Sequence, residues 1–141
     1  MSRLLSLLFC IFVGQFALGE SASKPSTGAT KQTLHTVIKS QLEAFRRGDF
    51  AAAYELAAPG IREKFPLAAF TEMVSKGYPE IGASAEVVFG LTFDDGARAV
   101  VNVRVIGKDK ASRRYQYLFE RAGKDWRISG VVLLAEDETT I

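Results

Sequence analysis

The chain has 141 residues, 48% of them hydrophobic and 24% charged, with one cysteine, one histidine and a formal net charge of +2. That near-balance of charge argues against wholesale neutralisation of nucleic-acid phosphates, and the length and apolar content suit one domain with a core of its own. One histidine and one cysteine, Cys10, give too few ligands for a zinc site, and no cofactor is implied.

Residues 1–19 have the three-part form of a secretory signal: Arg3 supplies the positive start, Leu4 to Leu18 the apolar run, and Ala17-Leu18-Gly19 a small-x-small end. A membrane span needs about 20 apolar residues; this run is shorter and is interrupted by Ser6, Gly14 and Gln15. Phe9 precedes Cys10 where a lipoprotein signal needs a small residue. The expectation is cleavage after Gly19 and a periplasmic or secreted mature protein. Cys10 would leave with the signal, so no disulfide is expected although the compartment permits one.

Residues 20–30 are small, polar and Pro/Gly-containing, as in a flexible lead-in. Leu34, Val37, Ile38, Leu42 and Phe45 then follow the spacing of one helix face, with Thr30 as the expected cap and Gly48 as the left-handed closing residue. Asp49 is placed to cap a second helix carrying Phe50, Ala53, Tyr54 and Ala57, which Ala58-Pro59-Gly60 breaks. Ile61 to Phe65 allows one helical turn, and Pro66 opens a further helix with Phe70, Met73 and Val74 inward that Gly77 ends.

After residue 83 the period changes from 3.6 to 2. Val87, Phe89, Leu91 and Phe93 alternate with Glu86, Val88, Gly90 and Thr92; after the turn Asp94-Asp95-Gly96, Ala97, Ala99, Val101, Val103 and Val105 alternate with Arg98, Val100, Asn102, Arg104 and Ile106. Tyr115, Tyr117 and Phe119 form a third strand's inward set, and Ala122 to Asp125 turns the chain into a fourth strand from Trp126 to Leu134. Helices followed by a meander make an α+β layer structure with one sheet face under the helices. Burying a large apolar side chain contributes roughly 1.5–3 kcal/mol, which places the Val, Phe and Tyr side inward and Arg98, Arg104, Arg114 and Arg127 outside. Residues 135–141, with Glu136, Asp137 and Glu138, read as an acidic tail.

The runs QLEAFRRGDFAAAYELAAPGIREKFP, FTEMVSKGYPEI and RAGKDWRISGVVL together resemble the NTF2-like superfamily, and within it a group of short exported bacterial proteins known as a domain of unknown function. The resemblance covers residues 31–134. It implies an NTF2-like cone, with N-terminal helices packed on a curved antiparallel sheet of about four strands, the number the meander also gives. In relatives that are enzymes, such as ketosteroid isomerases, polyketide cyclases and dehydratases, it implies a pocket between helices and sheet. Catalysis there uses a buried carboxylate, a histidine, or a tyrosine paired with an acid.

Two functions are therefore carried forward. One is a non-enzymatic module that binds a small apolar ligand or another protein. The alternative is a small lyase or isomerase of the ketosteroid isomerase or SnoaL type, which requires a pocket carboxylate such as Glu55, Glu63 or Glu72. The inward strand positions hold no Asp, Glu or His, and His35 lies beside the helix stripe as a solvated residue would, so no catalytic residue is assigned. Tyr54, Phe70, Met73, Phe89, Tyr117 and Trp126 either line a pocket or fill the core; Tyr54 and Tyr117 each bring a hydroxyl that needs a partner if buried. Arg98, Asn102, Arg104, Arg114 and Arg127, interspersed with Val88, Val100, Leu118, Val131 and Leu133, suit either a homodimer or partner contact or an ordinary wet sheet face.

Overall fold

The computed structural model describes residues 23–136; the signal-like segment, with Cys10, and the last five residues lie outside that range. The chain runs β1 (Lys24–Pro25), α1 (Gly28–Arg46), α2 (Phe50–Glu55), α3 (Pro59–Lys64), α4 (Leu67–Gly77), α5 (Pro79–Gly82), β2 (Ser84–Asp94), β3 (Arg98–Gly107), β4 (Ser112–Ala122) and β5 (Asp125–Leu133). The strands form one five-stranded sheet in sequence order, all pairs antiparallel. This is the expected α+β layering, with one additional short strand.

α1 buries Leu34, Ile38, Leu42 and Phe45, and adds Gln41 and Ala44 to the same face. Its cap is Thr27, whose hydroxyl accepts from Thr30 N at 3.3 Å, one turn before the expected Thr30. The reason lies just upstream: Lys24 and Pro25 pair with Asp94 and Phe93, and Ser26 N donates to Thr92 O at 3.0 Å. The chain passes from strand into helix with no slack. Gly48 takes φ +75°, a conformation costly for any residue with a Cβ, and closes α1 as expected. Asp49 Oδ1 then accepts from Ala52 N at 3.0 Å to start α2. Pro66 stands at the cap of α4 rather than inside it, and Pro79 opens α5, a single turn that the sequence reading passed over.

β3 and β4 keep the expected alternation: Ala99, Val101, Val103, Val105, Tyr115, Tyr117 and Phe119 are all buried. Ala97 falls in the preceding turn and is exposed. β2 departs from the expectation. Phe89 pairs with Val103 and Thr92 with Val101, so Gly90 and Leu91 together oppose Asn102 in a β-bulge. Past it every side chain changes face. Thr92 is buried inside, Leu91 is 66% exposed, and Phe93 pairs with Val100 on the outer side; the expected inward Leu91 and Phe93 are corrected. β5 carries the same correction in reverse. Phe119 pairs with Ile128 and Leu118 with Gly130, leaving Ser129 as the extra residue. Val131, expected outside, therefore pairs with inward Tyr117 and is buried, and Leu133 shares the inner phase with Tyr115 but lies exposed at the strand end.

Candidate functional site

The space between helices and sheet is where a ligand of this architecture would sit, and its polar groups are paired. Tyr117 on β4 donates to Gln41 Oε1 on α1 at 3.0 Å, and Tyr78 donates to Val131 O at 3.2 Å. Tyr115 donates to Glu80 Oε1 at 3.0 Å, while Glu80 Oε2 lies 3.4 Å from Arg113 Nε. Burial holds the Tyr117 hydroxyl protonated well above the ordinary tyrosine range, and burial followed by the negative field of Glu80 does the same to Tyr115. Neither is a proton donor poised near neutrality. Among the described residues, a cavity of ≈ 20 Å³ is bordered by Gln41, Phe70, Tyr78, Ile128 and Val131 among others. That is room for about one water.

Glu80 is the acidic residue that sequence reasoning missed. Among the described acids it is the buried one, carried inward by α5. Its signal was Pro79 followed by an acid in a first turn, a helix-start pattern. Glu55, Glu63 and Glu72, the carboxylates considered for a pocket, are all exposed; Glu55 lies 3.7 Å from Arg62 and Glu72 2.8 Å from Lys76. His35 is half-buried and lies away from the interior cavity. Its Nε2 lies 3.0 Å from Thr92 Oγ1, and its ring stacks on Phe89 at 3.9 Å and 5°. Burial first, then the charges of Lys31 and Lys39, lower its pKa.

The six aromatic and Met candidates do not converge on one pocket. Phe70, Met73 and Tyr117 belong to the core. Tyr54 packs on Phe70 with ring centroids 5.1 Å apart, and its hydroxyl donates to the carbonyl oxygens of Arg62 at 2.9 Å and Phe65 at 2.5 Å. Phe89 is the platform for His35. Trp126 is buried, with the Arg121 guanidinium 4.6 Å from its ring centroid, and borders an open groove of ≈ 400 Å³ between Thr33, Val37, Glu55, Leu56 and the β4–β5 turn. Two of the charged groups on that groove are tied to the protein: Arg127 donates to the Glu55 carbonyl and lies 3.8 Å from Asp125 Oδ2.

The outer face is ordered into rows across the strands. Phe93, Val100, Leu118 and Gly130 make an apolar row; Asn102, Gln116 and Val132 follow, with Gln116 donating to Asn102 at 3.0 Å; Val88, Arg104 and Arg114 make the next. Arg98, Glu120 and Arg127 lie on the far side of the apolar row. Four of the five interface candidates thus share this face directly, while the Arg127 guanidinium is turned to the β5 edge and α2. Leu118 is only 2% exposed, whereas Val88 is 51% exposed.

Helices packed on a five-stranded antiparallel sheet in meander order make an α+β domain, and its fold is similar to that of an NTF2-like protein. The crystal structure of an NTF-2 like protein of unknown function from Shewanella oneidensis MR-1 is similar, with a TM-score of 0.50 at 19% identity, covering 74% of this chain and 98% of that one. The chain belongs to the family described as domain of unknown function DUF4864, which it matches over residues 27–141. No curated protein matches it.

Proposed function

We propose that the mature domain is a non-enzymatic, exported protein-interaction module working through the outer face of its sheet. The small size of the cavity under the helices supports this reading. A cavity of ≈ 20 Å³ compares with roughly 300–1,000 Å³ for small-molecule pockets, and the tyrosine hydroxyls that would orient a ligand already have partners. The outer face, by contrast, mixes an apolar row containing Phe93 and Val100 with arginines on both sides, a composition suited to a protein contact. The signal-like segment at residues 1–19 supports export.

A second copy is the simplest occupant, since one self-complementary patch then serves both partners. Sedimentation equilibrium of residues 20–141 over a wide concentration range tests it. Self-association is expected, and Val100→Asp should abolish it while leaving the circular dichroism spectrum intact. A chain that stays monomeric at millimolar concentration, or a dimer indifferent to Val100→Asp, overturns the outer-face contact.

A further inference from the structure

Arg104 and Arg114 stand directly opposite each other on β3 and β4. Like charges so placed repel, and the chain answers with a carboxylate. Glu136 Oε1 lies 3.2 Å from Arg104 Nη2, and Glu136 Oε2 accepts from the Arg114 backbone N–H at 3.2 Å. Arg114 Nη1 donates to Ala135 O at 3.3 Å, Leu134 N donates to Arg114 O at 2.9 Å, and Arg104 Nη1 is steadied by Ser112 Oγ at 3.0 Å. One carboxylate therefore receives both a guanidinium and a backbone donor, beside a strand that fixes the peptide's direction. Asp137 and Glu138 come next in sequence.

We propose that this row is a binding site for an extended acidic peptide, and that Ala135 and Glu136 are its built-in occupant. The inference rests on the outer face being a contact surface and names the chemistry of what docks there: a carboxylate-bearing strand. Ala135 and Glu136 fill the site in cis and set the threshold a competitor must pass. A short flexible tether corresponds to an effective concentration of order millimolar, so an acidic partner segment binds the intact chain only after displacing the tail.

The test uses the chain truncated after Leu134 and the synthetic peptide LAEDETTI, followed by backbone and arginine side-chain NMR. The peptide should shift Val88, Arg104 and Arg114 in the truncated chain. Its apparent affinity for the full-length chain should be about tenfold weaker, and 0.5 M salt, Arg104→Gln, or the neutral peptide LAQNQTTI should remove the shifts. Shifts that are absent, that map elsewhere, or that are equal in truncated and full-length chains overturn the proposal. Sedimentation of the same truncated chain with and without Val100→Asp reports separately on the outer-face contact, so failure of one idea is told apart from failure of the other.

Discussion

Tyr117 and Gln41, separated by 76 positions in sequence, meet through a buried 3.0 Å hydrogen bond that ties the third strand of the meander to the first long helix. An acceptor stranded in a core costs about 1–3 kcal/mol, whereas removing both partners costs much less. Tyr117→Phe should therefore lower stability in urea titrations by about that amount, and adding Gln41→Leu should recover part of it. Additive losses would mean that the two side chains do not depend on each other.

Alkaline stability follows from the same burial. The folded state raises the Tyr115 and Tyr117 pKa values above the ordinary 10.0, so their contribution is complete below pH 10 and is lost as pH rises beyond it. The thermal midpoint should fall steeply above about pH 10, with phenolate absorbance from these two residues appearing only as the chain unfolds. Their ionisation in the native state at the ordinary pH would contradict the paired interior.

Glu80 should behave as a structural acceptor. Glu80→Gln keeps an oxygen for the Tyr115 hydroxyl and is expected to cost little, while Glu80→Ala leaves that hydroxyl unpaired at about 1–3 kcal/mol. Tyr115→Phe in the Glu80→Ala background should then be close to neutral. Equal losses for Gln and Ala, read by denaturation, would assign the role of Glu80 to its charge with Arg113 instead.

His35 should stay neutral to lower pH in the folded chain than in the unfolded one. Its pKa is lowered from 6.5, by burial and then by Lys31 and Lys39, so the unfolded chain takes up the proton first as pH drops. Stability is thus full above pH 6.5 and declines as pH falls through the folded-state value. His35→Asn should flatten that decline, and the His35 ring resonances should titrate below the free-histidine midpoint. A midpoint at or above it would rule out this account.

The helix stripe of α1, the Gly48 closure and the alternations of β3 and β4 were legible because each is an uninterrupted period with a turn or cap at its end. The face of Phe93 was not. Around Val87-Val88-Phe89 both sides of the strand are apolar, so an inserted residue leaves the pattern looking continuous, and only Gly90 hints at the slip. Val131 was misplaced for the same reason, by the extra Ser129. Glu80 escaped because Tyr78-Pro79 reads as the end of a helix as readily as the start of another. The arginine rows were visible as residues, but their order across the sheet depends on a register that the bulges reset.

β1 covers only the last two residues of β2, leaving the run from Ser84 to Leu91 with β3 on one side and no strand on the other among the described residues. Such a border is a template for stray strand addition unless it is kinked. The two irregularities in β2, at Ala85 and at Gly90-Leu91, supply the kinks. A deletion that straightened this border would leave the monomer's interior intact yet give the molecule a flat valine- and phenylalanine-rich margin, and with it a route to fibrils.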